Sequence, residues 1–310
     1  MPALITHHLF GEEASLLMPA GLLSGQEEKL AFLLGNQGPD PFFFRFSTLP
    51  SLSSSCYRLA HLMHDERIVE AFLALRDGVS HLREEDKEVG RAFVLGMLAH
   101  YTLDSRAHPF VYAQQAALIE ANPELEGAEN EVHALIESDL DVWMLWSMRH
   151  QTVAQSAPSA RLDHTQRTTR VAGALLSQLA WQVYGISIDA FEYDACVNDC
   201  RLIYQVIEPA GSPLGRGMGL LETTLRQHSQ LMALAHRVSE SDECPACNLE
   251  HHVWADPSSG KRRQESFPDL FFRALEVWNE MVKALAAGDE RALRELVGKV
   301  NYDGRPTQGR

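Results

Sequence analysis

Basic residues are scarce in this sequence: 27 Lys and Arg stand against 42 Asp and Glu in 310 residues, a formal charge of −15. Nucleic-acid grooves neutralise phosphates with clustered cations, so no such groove is expected, although a metal cluster could itself engage a phosphate. Long apolar runs are missing as well. No stretch reaches the roughly 18 uninterrupted apolar residues of a membrane span. The opening Met1-Pro2-Ala3-Leu4-Ile5-Thr6 lacks a basic region followed by an apolar core and a small-residue cleavage site. A soluble, cytoplasmic protein without a transmembrane segment is the expectation. Cysteine is sparse and odd in number: Cys56, Cys196, Cys200, Cys244 and Cys247 exclude a dense disulfide framework and suit a reducing compartment. Strand-like alternation is nearly absent, and so are internal repeats.

What remains is helical. Apolar residues recur at three- and four-residue intervals over 68–82, 132–148, 171–183 and 220–238, and 45% hydrophobic content is ample for a sizeable core. Asn122-Pro123, Ser156-Ala157-Pro158-Ser159 and the loop from Pro209 to Gly215 mark helix edges. We therefore expect an all-α fold, a single helical domain over 1–310, with 239–264 as an irregular lid or loop. Phe267-Pro268-Asp269 should open a further helix, and the tail 301–310 should fray. Within 239–264, Lys261-Arg262-Arg263 reads as a solvated basic turn. Cys244-Pro245-Ala246-Cys247 with His251 and His252 could bind an extra zinc, but a single Cys-x-x-Cys lacks its spaced partner pair. Cys196 and Cys200 read as packing residues. Trp143-Met144-Leu145-Trp146 fits either core or a dimer face, so the oligomeric state stays open.

The chemistry concentrates in 1–152. Residues i and i+4 of an α-helix lie on one face about 6 Å apart, close enough for two side chains to grip one ion. His100-x-x-x-Asp104-x-x-x-His108 and His133-x-x-x-Glu137 have this spacing. Isolated pairs of this kind are common on solvated helices, but here the run 92–99 leading into His100 is apolar all round, as in a buried helix. Buried His and Asp need partners. Imidazole with carboxylate suits zinc, with manganese or iron as other occupants. Upstream, Gly35, Gly38, Pro39 and Pro41 fix a non-helical turn that holds Asp40. Phe42-Phe43-Phe44 beside it reads as core, or as an apolar wall.

These residues carry a resemblance. Thr6-His7-His8-Leu9-Phe10-Gly11, Gly38-Pro39-Asp40-Pro41, the run from Leu95 through His108-Pro109 and His133-x-x-x-Glu137 together resemble the zinc-dependent phospholipase C family. The resemblance covers about the first half of the chain. It implies an all-helical bundle with up to three zinc ions at the bottom of a cleft. By that resemblance Asp40, His61 or His64, His100 and Asp104 would hold one ion, and His108, His133 and Glu137 a second. Asp104 would bridge to a third site completed by His7. Between His61 and His64 the spacing leaves both open, with His64 ahead because it precedes an amphipathic stretch.

Two or three close divalent ions bring the pKa of bound water towards neutrality and clamp phosphoester oxygens. Asp40 is the expected general base or water-orienting group. The expected activity is metal-dependent hydrolysis of a phosphoester of phospholipase C type, on a phospholipid headgroup or a smaller phosphodiester. The same architecture acting on a nucleotide or another small ester, and a non-catalytic metal-binding protein, are the alternatives.

Overall fold

The computed structural model of the chain describes residues 3–18, 21–216, 219 and 229–307. Ten longer helices frame the described residues: α1 (Leu4–Leu16), α2 (Gln26–Gly35), α3 (Pro50–Asp65), α4 (Ile68–His81), α5 (Lys87–Ala121), α6 (Glu129–Arg149), α7 (Gln166–Tyr184), α8 (Glu192–Ile207), α9 (Phe267–Ala287) and α10 (Glu290–Val297). The apolar run 92–99 lies in the middle of α5, which is buried almost continuously from Val89 to Val111 and is packed by α1, α2, α4, α6, α7 and α9. A helix that is apolar all round must be covered on every side, so its neighbours form a sleeve around it. The fold is all-α. The strands among the described residues are two-residue pieces, β1 (Trp254–Ala255) and β2 (Arg262–Arg263), paired antiparallel.

Local chemistry explains several helix ends. Ser266 and Asp269 exchange side chain-to-backbone bonds as a capping box at the start of α9, and Thr165 with Thr168 does the same for α7. α7 stops at Gly185, in the left-handed region at φ 66°. α2 and α5 meet at a pair of glycines. A Cβ on Gly35 would lie 2.3 Å from the Phe93 carbonyl oxygen, and one on Gly96 would lie 2.1 Å from that of Phe32. This backbone-to-backbone approach presses the turn after α2 against α5 at His100.

The predicted helices over 68–82, 132–148 and 171–183 correspond to α4, α6 and α7. Of the stretch 220–238, residues 220–228 lie outside the described residues. The remainder is helical only at Gln230–Ala233. Beyond it the backbone bonds sideways: the Ala235 carbonyl accepts from Ser138 Oγ at 3.1 Å, and the His236 amide donates to Glu208 at 3.1 Å. The expectation of a fraying tail is corrected for 301–307, residues 308–310 lying outside the described residues. Residues 301–307 fold back onto α3 and α5, and Tyr302 is 3% exposed.

Segment 239–264 is irregular apart from its ribbon and the 3₁₀ turn Pro245–Cys247. It packs on α6, where the Trp143 and Trp146 indoles both donate to Asp242, and on α5, where Trp254 stands edge-on to Phe110. Met144 and Leu145, between those tryptophans, are core. All five cysteines are free and buried.

Candidate metal centre

Four helices and one turn deliver eight side chains to one region. α1 brings His7, the 3₁₀ turn Asp40–Phe44 brings Asp40, and the last turn of α3 brings His64. α5 contributes His100, Asp104 and His108, and α6 contributes His133 and Glu137. Asp104 is the hub: Oδ1 lies 3.0 Å from His7 Nε2, and Oδ2 lies 3.1 Å from His100 Nε2 and 3.8 Å from His108 Nδ1. Asp40 reaches His64 Nε2 at 3.1 Å and His100 Nε2 at 3.8 Å. Glu137 Oε1 lies 3.4 Å from His108 Nε2 and 3.3 Å from His133 Nε2. Among the described residues, three groups have ligand atoms that all fall within 4.8 Å of one another: His7-His100-Asp104, Asp40-His64-His100 and His108-His133-Glu137.

Four of the five histidines are aimed by their second nitrogens. His64 Nδ1 donates to the Ala60 carbonyl at 2.8 Å, His100 Nδ1 to that of Asn36 at 3.0 Å and His108 Nδ1 to that of Tyr302 at 2.9 Å. His133 Nδ1 donates to Gln115 Oε1 at 3.0 Å. Each acceptor engages the Nδ1 proton and turns Nε2 towards the carboxylates, so that Nε2 is the nitrogen a metal would bind, the usual arrangement behind a metal-binding imidazole. Gly38, at φ 56°, makes the Asp40 turn possible, and a Cβ there would lie 2.3 Å from the His100 ring. His7 stacks on His100 with ring centroids 4.0 Å apart.

Electrostatics accord with a cation-binding pocket. Burial alone would raise the Asp104 carboxyl, yet His108, His100 and His7 outweigh it and hold it well below the usual range. Burial would likewise lower His108, but Asp104 and Glu137 raise it to about 10. Burial, with His100 beside it, lowers His7, and burial lowers His133. Despite burial, His100 and His64 lower Asp40. Asp40 Oδ1 and His100 Nε2 are buried and close to their neighbours without forming a directional hydrogen bond, and His7 Nδ1 has no partner either. Buried polar atoms in that condition call for an ion or water. Imidazole nitrogens and carboxylate oxygens fit zinc.

The structure thus brings together eight of the nine sequence-derived ligand positions. His61 stays outside every group: three residues before His64, it turns to solvent and stands edge-on to Phe43 and Tyr57. Phe42 and Phe44 are core, whereas half-buried Phe43 flanks His64 with ring centroids 5.4 Å apart. Cys244 and Cys247 are not joined by the nearby histidines, since exposed His252 pairs with Glu250 and exposed His251 bonds the Gln264 carbonyl.

Sequence reasoning missed Asp141. Its carboxylate accepts the Ile5 and Thr6 amides at 2.8 and 2.7 Å, capping α1 immediately before His7. Behind it, His236 bridges Asp141 at 3.0 Å and Glu208 at 2.5 Å. A signal existed, because Asp141 continues the four-residue stripe of His133 and Glu137.

With this geometry in place, comparison with protein families is specific: the description "zinc dependent phospholipase C" matches residues 6–185, more than half of the chain and a span that includes all eight candidate side chains above. Neither the comparison with curated proteins nor that with solved structures gave a match. The chain belongs to the zinc-dependent phospholipase C family.

Proposed function

We propose that this protein is a zinc-dependent phosphoester hydrolase acting on a phosphodiester, with a phospholipid headgroup as the substrate class. The observation that carries the reading is the sharing of ligands: His100 belongs to two of the three groups, and Asp104 stands between the first group and His108. A structural zinc needs four ligands and no sharing, whereas adjoining groups suit a cluster. In this reading His7, Asp40, His64, His100, Asp104, His108, His133 and Glu137 hold two or three ions. Bound there, the ions supply a nucleophilic hydroxide near neutral pH and neutralise phosphoester charge.

The chain's own residues do the rest. Asp40, ionised by its histidine neighbours, accepts a hydrogen bond from the attacking water and orients it. A carboxyl with a lowered pKa is a weak proton acceptor, so orientation is the larger part of its role. His64, His100, His108 and His133 stay fixed because their Nδ1 protons are already committed to carbonyls and to Gln115. Phe43 and Tyr57 give the region beside His64 an apolar edge against which an acyl or aryl group can lie.

The test combines metal analysis with turnover. Protein purified without a histidine tag should contain two or three zinc equivalents, and His133→Ala should lose at least one. The zinc-loaded protein should hydrolyse an aryl phosphodiester and short-chain phosphatidylcholine. Full metal content with no turnover on either, but turnover on a nucleotide or a carboxylic ester, would move the reading to an altered substrate. One equivalent or none, unchanged by the mutation, would refute the cluster.

A further inference from the structure

Residues 300–307 lie far beyond the part of the chain that matches the family, yet they touch ligands of two metal groups. The Tyr302 carbonyl accepts the Nδ1 proton of His108 at 2.9 Å, while its amide donates to the His64 carbonyl at 3.0 Å in the last turn of α3. Its ring lies 4.8 Å from that of His64 and 5.6 Å from that of His100, centroid to centroid. One residue therefore contacts His64 and His100 of the Asp40 group and His108 of the Glu137 group.

The segment is built to stay there. It closes as a small loop, with the Asn301 amide donating to the Arg305 carbonyl at 2.9 Å and the Gly304 amide to that of Asn301 at 3.0 Å. Thr307 donates to the Lys299 carbonyl at 2.7 Å. Outside the loop, Asn301 Nδ2 bonds Asp65 at 3.3 Å, Tyr112 Oη donates to Asp303 at 3.0 Å and the Arg305 guanidinium lies over the Tyr112 ring. Gly304, at φ 69°, rests directly on α5: a Cβ would lie 2.7 Å from the Ser105 carbonyl oxygen and 2.5 Å from Pro109 Cγ. Pro109 has no amide to offer the Ser105 carbonyl, so the helix surface is open there, between Asp104 and His108.

We propose that segment 300–307 is a clasp that positions the metal centre, with Tyr302 as the positioning residue that sets His108 and couples the two ligand groups it touches. The proposal rests on the reading that the cluster holds zinc. If zinc is held better when the clasp is seated, then bound zinc must seat the clasp, because coupling is reciprocal. Loss of an outer partner of a metal-binding histidine typically weakens metal binding about 10- to 100-fold.

The first measurement uses the unmodified chain. Amide hydrogen exchange across 300–307 is followed with and without saturating zinc, alongside elemental analysis of the same samples. Slower exchange of this segment in the zinc-loaded protein is the expected result. Bound zinc with unchanged exchange there would overturn the clasp while leaving the metal reading intact. No zinc uptake at all would overturn the metal reading and the clasp with it. The second measurement is zinc affinity by chelator competition, with circular dichroism as the check on folding. Tyr302→Ala keeps the backbone carbonyl but removes the ring that seats it against His64 and His100, and Gly304→Ala lifts the loop from α5. With the carbonyl displaced from His108, both should bind zinc at least tenfold more weakly with helical content retained, whereas Tyr302→Phe, which keeps the ring, should have wild-type affinity. Wild-type affinity in folded Tyr302→Ala and Gly304→Ala would refute the proposal.

Discussion

Asp104 shows how far one carboxylate can organise a site. It faces His7, His100 and His108 from three directions, and a neutral amide in its place would offer one acceptor where two are used. Asp104→Asn should remove at least one zinc equivalent and lower turnover at least tenfold, whereas His150→Asn should change neither. His150 is exposed at the left-handed end of α6, a position that Asn tolerates. Equal effects in metal analysis and kinetics would refute the ligand assignment. Asp141 acts at one remove. Replacing it with Ala leaves the Ile5 and Thr6 amides without their acceptor and strips His236 of a partner. Unfolding in denaturant should register a loss of about 3 kcal/mol or more, and the His7 end of α1 should lose order. A loss of under about 1 kcal/mol would mean that another group caps α1.

Between elements, the contact of α2 with α5 sets the depth at which Asp40 sits. Gly35 and Gly96 let the two backbones touch, and the turn after α2 is thereby pushed against the His100 ring. Gly96→Ala introduces a methyl group where the Phe32 carbonyl already stands. Overpacking of this kind costs about 1–3 kcal/mol, visible as a lower melting temperature. It should also lower zinc content, since separating the helices withdraws Asp40 and the Asn36 carbonyl from His100 together. A normal melting temperature and full zinc content would show that α2 can shift freely. The helix pattern was legible at this scale because α4, α6 and α7 each carry an apolar stripe of their own. The stretch 235–238 was not, because what straightens it is the sideways pull of Ser138 and Glu208, residues far away in sequence.

Across the whole molecule, buried charge is paired off among the described residues, at the candidate metal centre, where Arg45 meets Asp199 and Glu192, where Asp86 meets Arg167 and Arg170, and at the Asp141-His236-Glu208 bridge beside α1. His236 faces Asp141 from α6, Glu208 from the end of α8, and the Tyr204 ring. Burial would lower its pKa, but the two carboxylates raise it from 6.5 to about 9. A group whose folded pKa is raised stabilises fully below its unfolded value and loses that contribution as the pH rises through the folded one. Wild-type stability should therefore exceed that of His236→Gln by a margin that is largest below about pH 6.5 and shrinks as the pH rises through about 9. Denaturant melts at several pH values test this, and a margin that grows with pH would refute the bridge. Among the described residues no helix is long and apolar enough to cross a membrane, consistent with the absence of long apolar runs.

The sequence by itself determined the helical class, the central buried helix and most of the candidate ligand set, because helical periodicity and i,i+4 spacing are local properties of consecutive residues. Only the tertiary structure decided that His64 and not His61 faces Asp40, that Asp141 caps α1, and that the segment around Tyr302 returns to hold His108. These choices are contacts between residues from about 24 to nearly 200 positions apart, and no local pattern encodes which distant carbonyl or carboxylate will arrive.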